Sequence, residues 1–194
     1  MRELPVFSGL PLQHIVVIRS TGDLDLAHRE LVDASHVGFD TESKPTFLAN
    51  QPQTGPHLVQ VATPRHAFLF LPTYAPSHEL LAEIIQSQRT LKVGFGLTSD
   101  SGPLQRRFGA TLQSTVELSA VVRRLGYRQQ VGLQAAVAIV LGQYLSKSKR
   151  ITTSNWSAHP LSDAQKLYAA NDAYASLCVY RALLASAPKL LAPV

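Results

Sequence analysis

The apolar runs of this chain change period part-way along, and that change limits the fold more than any other feature. Up to residue 97 they are short and bounded by turn or polar residues: HIVVIRS (14–20), HVGFDTE (36–42), HLVQVAT (57–63), HAFLFLP (66–72) and LKVGFGL (91–97). Runs of this length between turn signals read as strands, and the third and fourth, parted by Pro64 and Arg65, read as a hairpin. Two helical patterns interrupt them. One is TGDLDLAHRELVDAS (21–35), capped by Thr21 or Asp23 with Leu24, Ala27, Leu31 and Val32 on one face; the other is SHELLAEIIQSQ (77–88). Beyond residue 97 the pattern is helical: a short helix GPLQRRFG (102–109) with Pro103 in its first turn and Gly109 at its stop, then STVELSAVVRRLG (114–126) and GLQAAVAIVLGQYLS (132–146). A basic loop, KSKRITTSNWSAHP (147–160), follows. Ser162 then caps a long final helix over 163–185. Strands alternating with helices and then giving way to helices predict an α/β fold with a mixed central sheet flanked by helices. No linker divides the 194 residues, so one domain over 1–194 is expected.

The second strand ends in two acids. Side chains alternate along a strand, so Asp40 and Glu42 share a face. Like charges side by side repel, and each costs free energy to desolvate. An arginine, a shared proton or a metal ion would offset that cost. Only 13 acids occur in the whole chain, so those in apolar surroundings stand out. Asp100 follows LKVGFGL and is either a helix N-cap or a site residue. Asp172 lies among Ala169, Ala170, Ala173 and Ala175 of the final helix, and Tyr168, four residues earlier, shares its face. The alanines let that helix approach the sheet closely.

Taken in order, VGFDTE, KVGFGLTSD and LSDAQKLYAANDAYAS resemble the three motifs of the DEDD superfamily of 3'-5' exonucleases, in the tyrosine-containing branch with ribonuclease D and Werner-type exonuclease domains. LVQVAT and SNWSAHPLS are similar to family sequences as well, so the resemblance runs from about residue 15 to about 185. It implies a ribonuclease H-like fold and a metal-dependent 3'-5' exonuclease that releases 5'-nucleoside monophosphates from single-stranded RNA or DNA ends. It implies Asp40, Glu42, Asp100 and Asp172 as ligands of two divalent ions, Mg²⁺ or Mn²⁺, and Tyr168 as the residue that orients the attacking water. Asp40 would bridge both ions, Glu42 and Asp172 complete the first site, and Asp100 hold the second, largely through water. Hard cations prefer oxygen ligands, which suits a site of carboxylates. The sequence departs from the family pattern at His159, where relatives more often carry an arginine before the proline, and at Ser101 and Gly102, where larger residues are common. The chain leaves no room for the helical nucleic-acid-binding domain of ribonuclease D.

Candidate substrate contacts are Lys44, Phe47, which either stacks on a terminal base or belongs to the core, and Lys147, Lys149 and Arg150 of the basic loop, the basic residues being otherwise a solvated face. Trp156 reads as a packing residue at the base of the last helix. Scattered His36, His57, His66 and His159 show no zinc-ligand spacing. A net charge of +5 suits a nucleic-acid partner. No apolar run approaches the ~20 residues that cross a membrane, and the N-terminus shows no signal-peptide pattern. The single Cys178 reads as a core residue that forms no disulfide within the chain, in keeping with a cytoplasmic location. The alternative reading is a catalytically inactive nucleic-acid-binding or adaptor module on the same fold. Preference for RNA or DNA and oligomeric state are left open at this point.

Overall fold

The computed structural model describes residues 3–46 and 54–192. Six strands form one mixed sheet in the order β1-β4-β3-β2-β5-β6: β1 (Ile15–Ile18), β2 (His36–Glu42), β3 (Leu58–Ala62), β4 (Ala67–Phe70), β5 (Leu91–Gly94) and β6 (Thr115–Glu117). β2 sits inside the sheet, antiparallel to β3 and parallel to β5. β3 and β4 make the expected hairpin, closed where Thr63 N–H donates to His66 O at 2.8 Å. β1 pairs parallel with β4, and β6 parallel with β5.

The two faces of the sheet carry different helices. Val37 and Phe39 of β2 pack with Val59, Val61, Phe68 and Phe70 against α1 (Thr21–Leu31), α2 (His78–Gln86) and α3 (Leu97–Phe108). Leu58, Ala62, Ala67 and Leu69 pack on the other face against α7 (Asp163–Ser186), through Ala169, Ala170 and Ala173. Alternation along β2 therefore turns Gly38, Asp40 and Glu42 toward α7, and Thr41 toward α3. At Gly38 a Cβ would run into the carbonyl of Ala173, so the absence of a side chain there lets the helix lie this close. α7 starts as expected. Ser162 Oγ accepts from Gln165 N–H at 3.3 Å, and Gln165 Oε1 accepts from Ser162 N–H at 3.0 Å, a closed capping box. Helices α4 (Leu118–Arg123), α5 (Leu133–Ala136, continued by a π turn over Val137–Leu141) and the single turn α6 (Lys149–Thr152) complete the fold.

Several expectations need correction. Neither Thr21 nor Asp23 caps α1: the N-cap is Ser20, whose Oγ accepts from Asp23 N–H at 3.2 Å. The strand expected over 91–97 stops at Gly94, because Gly96 turns left-handed at φ 81° and α3 begins at Leu97. α3 therefore starts five residues before the expected 102, and Pro103 lies inside it, where it has no N–H to give to Ser99 O. Residues 115–117, expected as helix, form the edge strand β6. Part of the basic segment, expected as loop, is the turn α6. Cys178 is half-buried rather than fully in the core. Among the described residues no helix is long and apolar enough to cross a membrane.

Candidate active site

β5 pairs with β2 only as far as Gly38, whereas β3 follows β2 to Glu42. The last residues of β2 are thus open on the β5 side, and α3 and α7 converge there. Asp40, Glu42 and Asp172 each bring a carboxylate oxygen within 4.8 Å of the others. Asp172 is 3% exposed, so the expected close approach of α7 has buried an acid. Asp100 stands on the other side of the strand end, in the first turn of α3, and is not an N-cap. Thr41 Oγ1 donates to Asp100 Oδ1 at 3.0 Å. Thr41, between the two acids of β2, therefore ties the fourth acid to the same strand end. Thr41 N–H donates to Asp40 Oδ1 at 2.9 Å and holds that carboxylate in place.

The electrostatics are those of a site built for a cation. Burial, then Asp172 and Glu42, hold the Asp40 carboxyl well above the usual carboxylate range. Burial and Asp172 push Glu42 up to about 8. Burial raises Asp100 to about 6, against the hydrogen bond from Thr41. Asp172 is raised by burial and held down in part by Lys147 and Tyr168. Three acids that are costly to ionise together, with oxygens converging from a strand and a helix, and Asp100 near enough to raise the Asp40 carboxyl further, fit hard divalent cations. Such ions would supply the positive charge that lets Asp40 and Glu42 ionise side by side.

Tyr168 lies one turn before Asp172, and its hydroxyl hydrogen-bonds Thr152 of α6 at 2.8 Å. Burial, followed by Asp172, raises its pKa, so the phenol stays protonated at neutral pH. Trp156 is fully buried with its ring 5.9 Å from that of Tyr168, the packing role expected of it. Lys147 Nζ pairs with Asp172 Oδ2 at 2.7 Å and stands 5.1 Å from the centre of the Tyr168 ring. It therefore lies in the site itself, bound to a carboxylate. Lys149 and Arg150 are exposed on α6, and Lys44 is exposed just beyond β2. Phe47 lies outside the described residues. A cleft of about 320 Å³ opens beside Tyr168 and Asp172, walled by Val6, Phe7, Leu145 and Ile151. A larger one of about 770 Å³ surrounds His36, Arg65 and Arg181 at the far end of β2 and touches none of the four acids.

Two supporting residues escaped the sequence reading. Glu117, at the end of β6, accepts from the N–H groups of Gly96 (3.1 Å) and Leu97 (2.9 Å), so its carboxylate caps α3 and fixes the helix that carries Asp100. Thr41 could have been suspected from its place between two acids, but Glu117 sits in a segment whose helical pattern hid a strand end.

The family profile of 3'-5' exonucleases matches residues 15–186. The chain belongs to this family. It is 34% identical over 155 residues to the mouse bifunctional 3'-5' exonuclease/ATP-dependent helicase WRN, a match covering 79% of this chain and 11% of the relative. It is 30% identical over 173 residues to ribonuclease D of Gluconacetobacter diazotrophicus, covering 87% of this chain and 42% of that enzyme. The chain thus spans less than half of the length of either relative. The fold is that of ribonuclease H-like exonuclease domains. Trypanosoma brucei RNase D in complex with RNA U12 superposes with a TM-score of 0.76 at 18% identity, over 89% of this chain and 63% of that one.

Proposed function

We propose that this chain is a metal-dependent exonuclease that hydrolyses the terminal phosphodiester of a single-stranded RNA or DNA 3' end and releases 5'-nucleoside monophosphates. The observation that carries this is the convergence of the Asp40, Glu42 and Asp172 carboxylates within 4.8 Å, with Tyr168 one helical turn from Asp172. The reading treats residues 1–194 as one catalytic domain, and the lone cysteine suits a cytoplasmic setting. Two divalent cations, Mg²⁺ or Mn²⁺, would activate the attacking water and neutralise charge on the phosphate and the leaving oxygen.

Asp40, Glu42 and Asp172 would hold one ion between them, and Asp100, fixed by Thr41 on the other side of the strand end, would help to hold the second. Tyr168, kept as a phenol, donates or accepts a hydrogen bond and orients the water; it is a positioning group before it is a base. Lys44, Lys149 and Arg150 are exposed around the strand end and available to phosphates of the incoming strand. An RNA complex of a protein with the same fold supports a nucleic-acid partner.

The test is a degradation ladder on matched 5'-labelled single-stranded RNA and DNA with Mg²⁺, Mn²⁺ or EDTA, beside Asp40→Ala. Shortening from the 3' end that needs metal and vanishes in the variant is expected. Binding without any shortening of either strand would replace the enzyme by the inactive adaptor module.

A further inference from the structure

The cleft at the far end of β2 has nothing in it that names a ligand, but a cation in the acidic cluster does call for an explanation. Among the described residues, Lys147 is the only basic side chain in an ion pair with any of the four acids. Its side chain is 25% exposed and that of Asp172 only 4%, so this pair is not a surface contact. The ammonium occupies a carboxylate oxygen that the proposed function needs for a divalent ion. One oxygen cannot serve both at full strength, because two cations on it repel.

The backbone on either side of Lys147 is anchored. Tyr144 N–H donates to Pro5 O at 2.8 Å, and Tyr144 O accepts from Phe7 N–H at 2.9 Å. Leu145 is buried, and its carbonyl accepts from Gln134 Nε2 at 2.9 Å. After Ser148 the chain enters α6, whose Thr152 holds the Tyr168 hydroxyl. Only the flexible lysine stem is left to move, with its ammonium on a tether a few ångströms long. We infer that Lys147 is an internal cation that holds the place of a divalent ion at Asp172 and gives up that carboxylate when the ion binds. It offsets the buried charge of Asp172 in the metal-free cluster, and it sets a threshold of metal concentration for filling the site. The inference rests on the metal-site reading above, and its test needs no nucleic acid.

The experiment is calorimetric titration of Mn²⁺ into the whole chain at low salt, for the wild type, Lys147→Met and Lys147→Arg. Removing the competitor should tighten Mn²⁺ binding about tenfold or more in Lys147→Met, the effect of one charge-assisted hydrogen bond no longer broken. The arginine variant should stay near the wild type. Lys147→Gln, of similar length and neutral, carries the same expectation if the methionine variant does not fold. Equal or weaker Mn²⁺ binding in the neutral variants, or no Mn²⁺ binding by any of the proteins, overturns the inference. Tighter Mn²⁺ binding in a chain that cuts neither RNA nor DNA would leave the role of Lys147 standing and remove the exonuclease.

Discussion

Asp40 and Asp172 stand on the longest strand and the longest helix, whereas Lys147, Lys149 and Arg150 stand on a short stretch that passes through one helical turn. The acids are held where β2 and α7 touch through Gly38 and Ala173. Asp100 is held almost as firmly, by Thr41 on one side and by Glu117 beneath the start of its helix. The basic side chains, Lys147 excepted, face solvent and have no comparable support. The difference teaches a division of labour. Groups that must meet a metal to within a fraction of an ångström are built on regular, buried elements, and groups that meet a moving, flexible polyanion are not.

The largest effect should come from breaking the rigid side. Asp40→Ala or Asp172→Ala should lower hydrolysis at least about 10³-fold, with an unchanged circular dichroism spectrum; near-normal turnover in either would separate these acids from the chemistry. Tyr168→Phe tests the join between the two regions, since its hydroxyl bridges α7 and α6. It should lower kcat about 10²-fold with KM within about twofold, and an equal loss in both would reduce Tyr168 to a binding residue.

Thermal melts of the metal-free protein sharpen the comparison further. Glu42 rises from 4.5 to about 8 on folding and Asp100 from 3.8 to about 6, so between those limits the folded chain holds more protons than the unfolded one. Stability from these groups is then full below their unfolded values and is lost as pH rises through the folded ones. In EDTA the Tm should fall from pH 5.5 to pH 8.5, and Mg²⁺ should shrink the fall. A Tm that climbs over this range without metal would contradict the burial of Glu42 and Asp100. The smallest effect belongs to the exposed basic side: Lys149→Ala with Arg150→Ala should raise KM for a single strand a few-fold, flatten its salt dependence and leave kcat alone.

The same division governed what could be read beforehand. β2, the β3–β4 hairpin, α2 and α7 carry apolar patterns that their own packing satisfies, so period and capping residues disclosed them. That Asp40, Glu42 and Asp172 meet, with Tyr168 one turn from Asp172, was legible because each sits at a strand end or on one helix face. β6 was not, because its three residues run straight into the helical LSAVVR of α4 and only pairing with β5 makes them a strand. The true start of α3 depends on a carboxylate twenty residues away at Glu117, and the place of Lys147 on contacts with α7 across a turn. Neither leaves a local pattern.

The central claim is that the acids at the end of β2 hold two divalent ions. The most direct measurement is anomalous scattering from a crystal of the chain soaked in Mn²⁺. The account predicts two Mn²⁺ peaks ~3.5–4 Å apart, both in contact with Asp40, with Lys147 moved off Asp172. No peak at the cluster, or Mn²⁺ held elsewhere with the Lys147–Asp172 pair intact, would contradict it.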